Sequence, residues 1–145
     1  MKTLLYMLLV FGFIIGCNTT KPLASTTNEK LANAKLSDTV KIENDSLEYQ
    51  IIIIEPGFNA WLVGNARPEG FYSQTFLENR NIIYVNEWNR RVANPTQFDG
   101  NLYQMQIDYQ YGINYGYEVN YKLYNYFIYF QLTYNQRLGP FTPRI

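Results

Sequence analysis

Few residues in this sequence belong to the types that perform chemistry, and the rarest of them occurs once. Cys17 is the single cysteine among 145 residues, and histidine is absent. Without histidine the chain lacks the commonest general base at neutral pH and the commonest ligand of transition metals. One cysteine cannot form an intramolecular disulfide, a redox pair or a thiolate zinc cage. We therefore predict no metal site, no cofactor and no nucleophile that histidine activates.

Carboxylates are the remaining candidates for acid and base catalysis. Hydrolysis of a glycosidic bond uses two carboxyl groups about 5 to 10 Å apart. The candidates are Glu55, Glu69, Glu87, Asp99, Asp108 and Glu118. Their spacing along the chain selects no pair, so we predict no catalytic residue. We interpret the protein as non-enzymatic, with a small carboxylate-based hydrolase as the second alternative.

One candidate binding site combines a carboxylate with aromatic rings. Glu55, Phe58 and Trp61 follow an apolar run across a Pro-Gly turn, and binding groups often lie on such connections at strand ends. A carboxylate beside aromatic stacking faces suits a glycan or a peptide. The alternative is structural: Glu55 accepts backbone amides in the turn while both rings pack in the core.

A second candidate binding site lies further along the chain. Trp88, Arg90 and Arg91 would suit an anionic partner such as lipid headgroups or lipopolysaccharide, because guanidinium groups bind phosphate and carboxylate in a bidentate manner. The alternative is a solvated helix end in which Trp88 is buried and Glu87 pairs with an arginine at helical spacing.

The chemistry of Cys17 follows from the residues before it. Lys2 precedes an apolar run over residues 4–15, which is typical of a secretory signal and shorter than the about 20 residues of a membrane span. Ile14, Gly16 and Cys17 resemble the lipobox of bacterial lipoproteins, with an aliphatic residue three positions before the cysteine and a small residue directly before it. We predict cleavage before Cys17 and its conversion to diacylglycerol-cysteine, with acyl chains such as palmitate.

The acylated Cys17 determines where we expect the protein to reside. Two acyl chains are enough for stable anchoring in a bilayer. Residues 18–21 (NTTK) contain neither the aspartate after the cysteine that favours inner-membrane retention in enteric bacteria nor an acidic cluster that directs lipoproteins to the cell surface in some anaerobes. We therefore predict the outer membrane, facing the periplasm.

Composition limits both the domain organisation and the partners. Twelve Lys plus Arg balance twelve Asp plus Glu, so the basic footprint of a nucleic-acid-binding protein is missing. The predicted organisation is a signal peptide over residues 1–16, a lipidated N-terminus and flexible polar tether over 17–46, and a single globular domain over 47–145.

Within that domain, hydrophobic spacing predicts the first elements. Residues 49–54 form a β-branched apolar run, which predicts a central strand covered on both faces. Residues 58–63 fit a second strand or a helical turn. From residue 73 to 93 the apolar positions recur at helical spacing, and Thr75 with Glu78 forms a plausible capping box.

The C-terminal third fits two templates. From residue 103 to 123 the odd positions are apolar or aromatic and the even positions are polar or glycine, which predicts a strand. From Val119 to Leu138 a helical spacing also holds, and Gly139-Pro140 is a strong helix stop. We favour the helix, because a strand through Tyr134 would need a sheet covered on both faces.

These elements together predict an α+β fold. The expected domain is small and single, with one central apolar strand or short sheet packed against two longer helices, at about 73–93 and 118–138. An irregular or extended segment rich in Tyr and Gly precedes the second helix.

Several strings of the sequence resemble a known family. They are IIIEPGFNAWL at 52–62, FYS at 71–73, VNEWNRRV at 85–92, NP at 94–95 and YGYEVNYKLY at 115–124. They are similar to an uncharacterised family of small Bacteroidetes lipoproteins, known as a domain of unknown function. The resemblance implies a single α+β domain with a long C-terminal helix, and it implies no activity.

The sequence as a whole predicts a membrane-anchored bacterial lipoprotein that serves as a non-enzymatic binding or envelope-assembly module. Its expected partners are the lipid bilayer, through acylated Cys17, and an envelope protein or glycan. The first alternative is an accessory glycan- or peptide-binding lipoprotein that uses aromatic stacking.

Overall fold

The computed structural model of the protein describes residues 39–44 and 49–145. Within these ranges it contains two strands and three helices. In chain order they are β1 (Thr39–Asn44), β2 (Tyr49–Ile54), α1 (Phe58–Asn65), α2 (Gln74–Val92) and α3 (Tyr117–Thr133). This arrangement confirms the α+β fold class predicted from the sequence. The predicted signal peptide, Cys17 and most of the predicted tether lie outside the described residues.

The two strands form a short antiparallel sheet in which Ile42 of β1 lies opposite Ile51 of β2. Ile42 is fully buried, whereas Ile52 is 52% exposed. Because each strand of a two-stranded sheet has one free edge, β2 is an edge strand. It is not the central strand, covered on both faces, that its apolar sequence predicted.

Strand β1 lies within the range predicted as tether. Residues 40–43 (VKIE) alternate apolar and charged side chains, a pattern too short to be told from a polar linker. Pairing with β2 brings this stretch into the fold. The folded part of the chain therefore extends upstream of residue 47.

Helices α1 and α2 follow β2 in the sequence and precede the Tyr-Gly segment. Gly57, with a φ of 83°, turns the chain from β2 into α1, a backbone conformation that glycine adopts without strain. Ser73 is the N-cap of α2, where its Oγ accepts a hydrogen bond from the Phe76 amide at 3.2 Å. The predicted capping box was therefore wrong: Glu78 accepts instead from the side chain of Gln74.

Helix α3 is the buried centre of the domain, and α1, α2 and β1 all pack against it. It ends at Thr133, five residues before the predicted boundary at 138. The reason is local, because Asn135 has a φ of 50°, a left-handed conformation that asparagine tolerates better than most residues. The chain then folds back, and the Gln131 side chain accepts a hydrogen bond from the backbone amide of Leu138.

The segment before α3 has no strand, despite its alternating sequence. Residues 103–116 are irregular. Tyr103, Tyr109 and Tyr115 are buried, whereas Met105 and Tyr111 are 72% and 87% exposed. The alternation of apolar and polar residues therefore marks a segment that lies over the core and contacts it through some of its odd-numbered residues. No helix in the described part of the chain is long and apolar enough to cross a bilayer.

Candidate functional site

A groove of about 370 Å³ runs between β2 and residues 101–108. We call it the β2 groove. Gln50, Ile51 and Ile52 all line it. Successive side chains of a strand point to opposite faces of the sheet. A groove on one face would therefore contact every second residue, whereas a groove along the edge of the strand contacts consecutive residues. β1 occupies the other edge of β2, so the groove lies along the free edge.

The opposite wall of the groove is held in place by two side chains of α2. The indole Nε1 of Trp88 donates a hydrogen bond to the backbone oxygen of Met105 at 2.9 Å. The side-chain amide of Asn89 donates to the Ile107 oxygen and accepts from the Ile107 nitrogen, both at 2.8 Å. Asn89 therefore pairs with Ile107 as the backbone of a neighbouring strand would, which fixes this wall without closing the groove.

A tyrosine of β2 ties the strand to this wall. The Tyr49 hydroxyl donates to the backbone oxygen of Asp108 at 2.5 Å. Burial raises the pKa of Tyr49 above its ordinary value, with contributions from Tyr115 and Asp108. The hydroxyl therefore keeps its proton, and its ability to donate, throughout the physiological range.

The rim of the groove is acidic. Its lining includes Glu55 and Asp108 and no Lys or Arg. Glu55 accepts a hydrogen bond from the Tyr134 hydroxyl at 2.5 Å, and this bond is the main cause that raises the pKa of Tyr134 to about 12. Asp108 accepts from the side-chain amide of Gln110. Neither carboxylate forms an ion pair with a cation in the described ranges.

The floor and sides of the groove are apolar. Trp88 and Tyr126 line it from the core with only 5% and 6% of their surface exposed. Ile52 and Met105 line the groove from different walls, and both are exposed by more than half. The β2 groove thus combines a fixed aromatic floor, two exposed apolar side chains and two carboxylates.

The structure separates the first set of predicted binding residues. Glu55 lines the β2 groove, as described above. Phe58 is fully buried and packs against Tyr126 and Tyr129. Trp61 is half-buried, with its ring 5.6 Å from that of Tyr129. These two rings therefore belong to the packing of α1 on α3, as the structural alternative had it, and do not form a stacking platform beside Glu55.

The second set is similarly divided. Trp88 reaches the groove only as its floor. Both arginines bind one carboxylate: Arg90 donates twice to Glu87, and the Nε of Arg91 donates to Glu87 at 2.7 Å. Hydrogen bonds from Arg90 and then Arg91 outweigh the effect of burial and lower the pKa of Glu87 to about 2. Arg91 also donates to Tyr103, so it is committed to the fold, while Arg90 remains at the surface.

Several groove residues were not among the sequence candidates. Ile52 was assigned to a covered strand, and Met105 belonged to the segment of uncertain structure. Asp108 was one of six candidate carboxylates, among which the sequence selected no catalytic pair. The run of β-branched residues in β2 is a signal that would have pointed to Ile52, because unpaired strand edges attract a further strand. No signal in the sequence places Met105 or Asp108 beside it.

A second cleft, of about 390 Å³, lies between the first half of α2 and the loop 109–114. Tyr111 stands at the tip of this loop, 87% exposed. Gln74 lies in the cleft and donates hydrogen bonds to Glu78 and Asn114. We call it the Tyr111 cleft. Within residues 39–44 and 49–145 no group of acidic and cysteine side chains is arranged to hold a metal ion.

Comparison with known proteins places most of the chain in a known family. The model of a family described as a "Family of unknown function (DUF6146)" matches residues 5–142. No curated protein and no solved structure matches the chain significantly.

Proposed function

The chain belongs to DUF6146, a family of unknown function, and from that premise we propose that the protein is a lipid-anchored binding module of the bacterial envelope. In this proposal acylated Cys17 holds it at the outer membrane, facing the periplasm. The domain binds a peptide segment of an envelope protein in the β2 groove. The observation that carries the proposal is the open groove itself, with its aromatic floor, exposed apolar side chains and two carboxylates.

The anchoring part of the proposal rests on the N-terminal sequence. The apolar run, Gly16 and Cys17 form a lipobox pattern, and the family match begins at residue 5. The segment that contains Cys17 therefore lies within the matched range. Two acyl chains on one residue attach a protein to a bilayer stably.

The binding part of the proposal rests on the composition of the β2 groove. Binding sites combine an apolar surface with a few polar groups that fix orientation. Ile52 and Met105 supply exposed apolar surface on opposite walls, and Glu55 and Asp108 supply the charges. Ile52 and Glu55 lie in β2 or directly after it, and Met105 and Asp108 lie on the opposite wall, so a peptide in the groove would contact both walls.

Hydrolysis remains the alternative that uses the same carboxylates. Glu55 and Asp108 line one groove, as a glycosidase would require of its acid and base. Each already accepts a hydrogen bond from a neighbouring side chain, Tyr134 and Gln110 respectively. The two exposed apolar side chains favour a peptide over a sugar, so we place binding first.

A second binding function is favoured by the Tyr111 cleft. Tyr111 presents an almost fully exposed ring beside the polar side chains of Gln74, Glu78 and Asn114. A tyrosine ring with nearby hydrogen-bonding groups is suited to stack on a sugar. This cleft, and not Phe58 and Trp61, which pack between α1 and α3, is where an accessory glycan-binding role would reside.

Site-specific photocrosslinking in living cells tests the groove. A photoreactive benzoylphenylalanine replaces Ile52, and the control replaces Val63, an exposed apolar residue of α1 outside the groove. We expect a light-dependent adduct with an envelope protein from position 52 and none from position 63. The adduct should weaken when Glu55→Gln and Asp108→Asn are introduced together, because the charges orient the peptide.

Two outcomes would oppose this proposal. The same adducts from positions 52 and 63, or none from 52, would mean that the groove has no specific protein partner. An adduct with a glycan from a probe at Tyr111, without one at Ile52, would move the binding site to the Tyr111 cleft.

A further inference from the structure

We infer that the β2 groove binds its partner by strand addition: an extended segment of another protein, with basic and apolar residues in alternation, pairs its backbone with the free edge of β2. The inference rests on the proposed function and specifies its partner. The occupant is a segment of a different protein, and not a sugar, a second copy or part of this chain.

Strand β2 has an open edge in the part of the chain that the structure describes. Its sequence YQIIII is strongly β-prone, and Ile52 is half exposed. Proteins normally cover, shorten or charge such edges, because unpaired backbone groups are a template for another strand. Among the described residues, no backbone hydrogen bond joins β2 to the segment 101–108 across the groove.

The sheet is small, with two strands in the part of the chain that the structure describes. Within those ranges β2 pairs with β1 and with no further strand. A third strand would therefore extend the sheet by a row of hydrogen bonds.

The opposite wall of the groove is also extended backbone. The Ile107 oxygen accepts from Asn89 on α2, whereas the oxygen of the next residue, Asp108, accepts from Tyr49 on β2. Successive carbonyls thus point to opposite sides, as in an extended chain. By the same alternation the backbone groups of Gln106 face the groove, so both walls offer backbone partners to an inserted segment.

The side chains that line the groove indicate which side chains the partner carries. Peptides that add to a sheet edge gain affinity from main-chain hydrogen bonds and specificity from alternate side chains. In the groove such a segment meets Ile52 and Met105, which favour apolar residues. It also meets Glu55 and Asp108, which carry no cationic partner in the described ranges and favour Lys or Arg.

Binding of backbone-modified peptides tests the inference. The probe is a short fluorescent peptide of alternating lysine and valine, titrated into the full-length protein in detergent. We expect it to bind, and we expect N-methylation of every second backbone amide to weaken binding by about tenfold or more, since several hydrogen bonds are lost. N-methylation leaves every side chain in place, so it reports on backbone pairing alone.

Protein variants and a charge-reversed peptide complete the design. We expect Ile52→Lys to weaken binding by about tenfold, because a lysine on a strand edge opposes pairing, while Val63→Lys has no effect. Replacing lysine by glutamate in the peptide should abolish binding. The double substitution Glu55→Gln and Asp108→Asn should remove the preference for the lysine form.

The possible results separate the inference from the proposed function. Equal binding of methylated and unmethylated peptides would overturn strand addition and leave the groove as a peptide site. A peptide that fails to bind while position 52 crosslinks to a protein would likewise overturn only the inference. Self-association that Ile52→Lys abolishes would mean that a second copy occupies the groove. Peptide binding only after removal of residues 18–38 would mean that the chain's own N-terminal segment occupies it. Either result would overturn the inference. No peptide binding and no adduct would overturn both.

Discussion

Replacing Trp88 by alanine is expected to lower the free energy of unfolding by about 3 to 5 kcal/mol. The indole is 5% exposed and packs against Phe130 and Tyr103, with ring centroids 4.8 and 5.0 Å away. Its removal leaves a cavity between α2 and α3 and breaks the hydrogen bond to Met105. A loss of this size is a large part of the stability of a small domain. Denaturant unfolding followed by circular dichroism measures it.

Two further variants determine what the Trp88 result means. Trp88→Phe keeps most of the ring and loses the bond to the Met105 oxygen, so we expect a smaller loss of about 1 to 2 kcal/mol. Tyr111→Ala removes an aromatic ring that is 87% exposed and should change stability by no more than about 0.5 kcal/mol. If Trp88→Ala were as mild as Tyr111→Ala, Trp88 would be a surface residue available for ligand stacking.

Replacing Cys17 by serine is expected to abolish lipidation completely. Acylation uses the thiol sulfur as nucleophile, and a serine hydroxyl lacks the low pKa that makes a thiolate accessible. Each buried methylene of an acyl chain contributes about 0.8 kcal/mol to membrane binding, so loss of the chains removes the stable anchor. Metabolic labelling with an alkyne fatty acid measures the change, with strong label in the wild type and none in Cys17→Ser.

A neighbouring substitution provides the control for Cys17. Thr20→Ala changes the tether three residues beyond the cysteine without touching the acylated atom, so labelling should persist. Equal labelling of the wild type and Cys17→Ser would contradict the lipoprotein proposal and leave the apolar run as an ordinary signal or an uncleaved anchor.

The main helices of the fold were predictable because their signals are local. Helix α2 can be recognised from the spacing of its own apolar residues, and α3 from its dense apolar sequence. The end of α3 was not predictable, because it depends on the left-handed conformation of Asn135 and on the side chain of Gln131 bonding the returning chain. Strand β1 escaped prediction for a related reason: its six residues form a strand only when β2 lies alongside.

The candidate site was predictable in part. Glu55 was singled out because it follows a strand at a turn, and it does line the β2 groove. Phe58 and Trp88 were singled out for their ring type, but aromatic residues are both the commonest core anchors and the commonest ligand contacts, and sequence alone cannot separate these roles. Asp108 joins the groove through a segment held by Trp88 and Asn89, which is a tertiary contact that no local pattern encodes.

The central claim is that an extended peptide occupies the free edge of β2, and amide hydrogen exchange tests it most directly. Exchange is measured on the full-length protein with and without a saturating amount of the lysine-valine peptide. Strand addition predicts that amides within residues 49–54 slow by about tenfold or more, because newly bonded amides exchange only after local opening. Amides of α1 should keep their rates. Unchanged exchange in β2 at saturation, or protection confined to the loop 109–114, would contradict the claim.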